Sequence, residues 1–81
     1  MWQTTGKGLY KKFVFDDFAT AFAFMGRVAA LAEAHNHHPR WLNQWNTVEI
    51  WLTTHEQGDM VTAKDRALAN DIDDVEKLAD Q

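Results

Sequence analysis

Pro39 is the single proline of the 81 residues, and it separates two kinds of pattern. Ahead of it, apolar residues recur at helical spacing from Phe18 to Ala32. Beyond it, Val48, Ile50 and Leu52 alternate with Glu49, Trp51 and Thr53, which is the period of a strand. A proline disfavours the helical region for the residue before it. The helix therefore has to stop ahead of His38, which is expected to be extended, and His37 falls at or just past the helix end. The chain is committed to a mixed architecture.

The remaining elements follow from local signals. Trp2 to Phe15 reads as two short strands joined through Gly6 and Gly8. The second, Leu9 to Phe15, carries Lys11 and Lys12 and is expected to be partly exposed. Asp16 or Asp17 supplies an N-cap for a helix running to about Asn36. Phe18, Phe22, Met25, Ala29 and Ala32 fall on one face of it, widened by Ala21, Phe24, Val28 and Leu31. Ala19, Ala23, Gly26, Ala30 and Ala34 form a second, small-residue stripe that lets another backbone come close. Both stripes together predict a helix covered on more than one side, and so a partner subunit. A further short strand fits Trp41 to Trp45. A turn is expected over Glu56–Asp59, around Gly58. Thr62 then opens a second helix, with Asp65 three residues on as a capping-box pair. Its buried face is Leu68, Ile72, Val75 and Ala79, with Asp71, Asp73, Asp74, Glu76 and Asp80 largely outside it. The predicted fold is α+β: a two-layer sandwich, an antiparallel sheet of three to four strands with two helices on one face, in the order β-β-α-β(-β)-α.

Residues 1–81 suffice for a single domain. A domain this small buries only about 60% of its unfolded surface, so association is expected to help it. With no cysteine, thiol nucleophiles and thiolate zinc sites are excluded, in keeping with the cytoplasm. A net charge of −4 argues against nucleic acid. No apolar run is long enough for a bilayer span, and "MWQTTGKGLYKK" lacks the apolar segment of a signal peptide. The expectation is a cytoplasmic protein bound neither to nucleic acid nor to membrane.

Chemistry concentrates in "EAHNHHPRW", Glu33 to Trp41, which holds three of the four histidines, His35, His37 and His38. With His55 they could offer imidazoles to zinc, and Glu33 a carboxylate. The spacing is poor for that, because adjacent residues of extended chain point to opposite sides and there is no His-Glu-x-x-His pair. Proton transfer suits them better. Imidazole titrates near neutral pH. At a helix C-terminus the unpaired carbonyls, and Glu33 one turn earlier, favour the charged form of His37, while burial opposes it. A purely structural role is the third reading, because histidines complement helix ends and prolines follow them. His35, inside the helix beside Leu31, is the expected bystander. Asp65 can be a cap and nothing more, and Trp41 and Trp45 can stack on a flat heterocycle or simply pack.

Taken in order, Glu33, His37-His38-Pro39, Trp45, His55 and Asp65 resemble the signature of the pterin-4a-carbinolamine dehydratase family. The flanks "FVFDDFATAFAFMGRVAALAE" and "VEIWLTTHEQGDMVTAKDRALANDID" resemble that family's strand–helix and strand–helix units, and the resemblance runs along the chain from Trp2. Many members carry a helical segment ahead of the tryptophan matching Trp2, and the sequence given begins beside that tryptophan.

The resemblance implies dehydration of a 4a-hydroxytetrahydropterin to the quinonoid dihydropterin, in recycling tetrahydrobiopterin for aromatic amino-acid hydroxylases. It implies neither metal nor organic cofactor. It casts His37, His38 and His55 as catalytic, with Glu33, Pro39, Trp45 and Asp65 as substrate-binding residues. His37 and His55 are expected to be the acid–base pair, with His38 orienting the pterin and Glu33 orienting His37 or meeting the polar pterin edge. It also implies homodimers or tetramers. Two alternatives remain: an interaction protein on the same fold, as animal members are dimerisation cofactors for a homeodomain transcription factor, and a metal-dependent protein.

Overall fold

The computed structural model describes residues 1–55 and 58–79, the side chain of Ala79 excepted. The elements are β1 (Gln3–Thr5), β2 (Gly8–Val14), α1 (Phe18–His35), β3 (Arg40–Gln44), β4 (Thr47–Leu52) and α2 (Ala63–Ala79). The short strand expected near Trp41 is therefore present. The expected turn at Glu56 and Gln57, the burial of Ala79 and the position of Asp80 lie outside the described residues.

The four strands form one antiparallel sheet in the order β1-β2-β4-β3. Its two central strands alternate as their sequences demand. Leu9 and Phe13 of β2, paired with Leu52 and Val48 of β4, point inward together with Ile50. Tyr10, Lys12 and Val14, paired with Trp51, Glu49 and Thr47, point to the other side. The helices cover the inward face. Ala21, Phe24 and Val28 of α1 and Leu68, Ala69 and Ile72 of α2 complete one core, with Phe24 packed 4.9 Å from both Phe13 and Phe15. Lys11 reaches from the sheet to Asp73 of α2 at 2.8 Å, and Trp2 Nε1 donates to the same carboxylate at 3.0 Å.

The face of α1 differs from the expectation. Its buried residues are Ala21, Phe24, Val28 and Ala32. Phe18 and Phe22 stand exposed and stack on each other with ring centroids 5.7 Å apart, and Ala29 is exposed too. Two neighbouring faces of this helix are apolar, and periodicity does not say which one meets the sheet. The small-residue stripe is likewise open to solvent.

Local chemistry sets the element ends. Asp17 caps α1 by accepting from Thr20 N–H at 2.8 Å. At the other end Asn36 takes the left-handed conformation, φ 49°, and the next residue, His37, donates its N–H to Ala32 O at 3.0 Å. This is the bond that closes a Schellman-type terminus. At Gly8, φ is +113° and an added Cβ would lie 2.3 Å from the Leu52 carbonyl oxygen, so only glycine fits where β2 begins against β4.

Candidate active site

His37 owes its position to that left-handed turn, and His55 follows Thr53 and Thr54 just beyond β4. The fold brings them together. Asn36, His37, His38, Thr53 and His55 line one hollow of about 200 Å³.

The most buried part of this arrangement is a carboxylate. Asp65, in the first turn of α2, is inaccessible to solvent. Its Oδ1 lies 2.5 Å from His37 Nε2. Its Oδ2 accepts from Thr54 Oγ1–H at 2.8 Å and from Thr62 N–H at 2.8 Å. The Thr62 hydroxyl in turn lies 2.6 Å from that of Thr54 and accepts from Lys64 N–H at 3.3 Å. Half of the predicted capping box is thus present, Asp65 accepting from Thr62 N–H while the Thr62 hydroxyl accepts from Lys64 rather than Asp65, and its carboxylate also holds a histidine 28 residues away in sequence.

This contact assigns the histidine's tautomer. A carboxylate oxygen accepts, so Nε2 carries the proton, and Nδ1 is the nitrogen free to take one up or give one away. Among the described residues no buried side-chain nitrogen or oxygen lacks a partner, and none accompanies Nδ1. The small accessible part of His37 therefore includes Nδ1.

The other expected site residues are placed as follows. Glu33 lies against His38, Oε2 to Nε2 2.5 Å, on the surface. It does not orient His37, because Asp65 already occupies that position. His55 is exposed, with Nδ1 3.0 Å from Asp59 Oδ1. Pro39 is half-buried and directs the chain from His38 into β3. Trp45 is not brought to the hollow within the chain. It occupies the β3–β4 turn, exposed and with φ +50°, at the far end of a six-residue strand, roughly 20 Å away at ~3.3 Å per residue. His35 bridges to Asp71 of α2 at 2.7 Å and joins the two helices.

Each histidine is thus matched with a different carboxylate. Among the described residues no three His, Cys, Asp or Glu side chains gather where they could hold one metal ion. Sequence reasoning missed Asn36, Thr53, Thr54 and Asp59. An asparagine ahead of a His-His-Pro run could have signalled the left-handed cap. Thr54 carries no such signal, since its partner is Asp65 on another element.

The comparisons with known proteins agree with this architecture. The family model described as Pterin 4 alpha carbinolamine dehydratase matches residues 1–75. A curated relative from Rhodopseudomonas palustris, provisionally named a pterin-4-alpha-carbinolamine dehydratase, is 54% identical over 63 residues, which span 78% of this chain and 61% of the relative. The chain thus covers less than two thirds of that relative's length. The crystal structure of a transcriptional coactivator/pterin dehydratase from Brucella melitensis superposes with a TM-score of 0.86 at 37% identity, over 91% of this chain and 80% of the other. A pterin dehydratase-like protein identified as a RuBisCO assembly factor in the alpha-carboxysome superposes with a TM-score of 0.79 at 29% identity, over 93% and 88%. With the family model spanning all four strands, α1 and most of α2, the chain belongs to the pterin-4a-carbinolamine dehydratase family.

Proposed function

We propose that the chain dehydrates a 4a-hydroxytetrahydropterin to the quinonoid dihydropterin and water, as in the recycling of tetrahydrobiopterin. The observation that carries this reading is the shared hollow, where His37 and His55 meet and the His37 ring is held by a buried carboxylate. Hydroxide is a poor leaving group from C4a. A protonated imidazole makes it leave as water, the C4a–O bond breaks, and a base takes the proton from the adjacent ring nitrogen as the C=N bond forms. His37 and His55 are the acid–base pair, and His38, backed by Glu33, holds the pterin. Asp65 is the positioning residue. It keeps Nε2 of His37 protonated, so the exchange runs through Nδ1.

The substrate-binding role proposed for Trp45 requires a second copy of the chain, because its own turn is remote from its own hollow. Exposed Phe18 and Phe22 supply an apolar patch for a homo-oligomer. They also favour a second reading, a non-catalytic interaction protein; a similar structure is that of a pterin dehydratase-like protein identified as a RuBisCO assembly factor.

A direct assay separates the two. With synthetic 4a-hydroxytetrahydropterin, dehydration by the wild-type protein is expected to exceed the spontaneous rate. His37→Ala and His55→Ala should each lose on the order of 10²–10⁴-fold, the usual contribution of a positioned acid or base. A wild-type protein no faster than buffer favours the interaction reading, and an unchanged His55→Ala rate removes His55 from the pair.

A further inference from the structure

Beside the histidine hollow lies a larger one, of about 350 Å³, lined by Gly6, Lys7, Arg40, Trp51, Thr53 and Asp59. Thr53 lines both, so the two hollows are neighbours on either side of one residue. We propose that the second hollow is an anion subsite, and that the preferred substrate is a 4a-hydroxytetrahydropterin whose side chain ends in a phosphate ester. The inference rests on the dehydratase reading above and adds the substrate class.

The cations are placed for this purpose by the fold. Lys7 sits in the two-residue turn between β1 and β2. Arg40 opens β3 directly across from Trp51 of β4, and its guanidinium lies over the Trp51 ring at 5.5 Å. Neither cation makes an ion pair with a carboxylate among the described residues. The indole holds the guanidinium by a cation–π contact that uses no N–H group, and a guanidinium with unused N–H groups can grip a phosphate through two parallel bonds. The acidic group of the hollow, Asp59, has an oxygen 3.0 Å from His55 Nδ1. In a chain of net charge −4, this hollow gathers two cations that no carboxylate of the described residues pairs. With the bicycle against His37 and His55, a substrate side chain directed past Thr53 would run toward the hollow of Lys7 and Arg40.

The test compares a stable dihydropterin bearing a phosphorylated side chain with the same compound ending in the alcohol, binding being followed by calorimetry at low salt. The phosphate ester is expected to bind roughly tenfold more tightly, from two charge-assisted contacts at a partly exposed site. In the Lys7→Glu/Arg40→Gln double variant the ratio should fall to about one. Lys7→Glu alone, in an exposed turn, should reduce it about threefold and guards against a folding failure of the double variant. Equal affinities in the wild-type protein, or a preference unchanged in the variants, overturn the proposal. A parallel dehydration assay on both carbinolamines keeps the two readings apart. Turnover without ester preference removes the anion subsite alone. Ester-selective binding with no turnover of either substrate supports the subsite and removes the dehydratase reading.

Discussion

Asp65 Oδ1 and His37 Nε2 lie 2.5 Å apart, although α2 and the end of α1 contribute them from opposite ends of a 28-residue span. The aspartate is fully buried, and its second oxygen is occupied by Thr54 and Thr62. One carboxylate therefore joins a helix cap, a strand end and the candidate acid–base ring.

Asp65→Asn keeps the shape and removes the charge. An amide can donate where the carboxylate accepts, so Nε2 loses its enforced proton and Nδ1 no longer has a fixed role. The dehydration kcat is expected to fall by ~10²-fold or more with a smaller change in KM. Weakening the buried contacts of this carboxylate, which lose their charge assistance, should cost about 1–3 kcal/mol, read by urea denaturation. A shifted pH–rate profile in the variant distinguishes positioning from simple loss of stability.

Gly8→Ala tests the start of β2. The new methyl carbon would meet the Leu52 carbonyl oxygen at 2.3 Å and Thr53 Cγ2 at 2.4 Å, at a φ of +113°. A loss of more than about 2 kcal/mol is expected from strain and displacement together. Gly6→Ala is the control, since nothing lies within 4 Å of its Cβ position, and it should stay within ~0.5 kcal/mol of wild type. Chemical denaturation of both checks the contrast.

Phe24 and Phe22 separate the core from the open face of α1. Phe24 is fully buried against Phe13 and Phe15, whereas Phe22 is 61% exposed. Phe24→Ala should cost roughly 3–5 kcal/mol. Phe22→Ala should leave the unfolding of a single subunit nearly unchanged and weaken self-association, as followed by analytical ultracentrifugation.

Asp17 gives a pH signature. The backbone N–H of Thr20 bonds its carboxylate and holds its pKa below the ordinary carboxylate value. The folded pKa is thus depressed relative to the unfolded one. Its stabilisation is present above the unfolded value of about 3.9 and is lost as pH falls through the lower folded value. The melting-temperature gap between wild type and Asp17→Ala should be widest above about pH 5, by the same reference pKa, and should close toward strongly acidic pH. A gap that is constant with pH would mean that the cap acts without its charge.

Much of this architecture is legible in the chain. Pro39 marks the end of α1, the alternation from Val48 to Leu52 marks β4, and the Thr62–Asp65 spacing marks the first turn of α2, because each signal acts within a few residues. The ordered set from Glu33 to Asp65 pointed to the family. What could not be read depends on orientation between elements. Both apolar faces of α1 fit a helical period, so the exposure of Phe18 and Phe22 is decided only when Phe24 meets Phe13 across the sheet. Glu33 and Asp65 are equally plausible partners for His37 along the sequence. Asn36 decides between them, since its left-handed turn carries His37 away from the preceding helical turn and toward α2. Trp45 stands near the histidines in the linear order, and the length of β4 carries it away.

The terminus built around Asn36 has one more implication. His37 is gripped twice, by its main chain through Ala32 and by its ring through Asp65, and both anchors sit in packed helices. Swinging the imidazole toward an incoming molecule would break its contact with a buried carboxylate. Whatever reacts there must travel to a stationary nitrogen along a single line of approach, so selectivity at this position is a matter of docking trajectory rather than of side-chain adjustment.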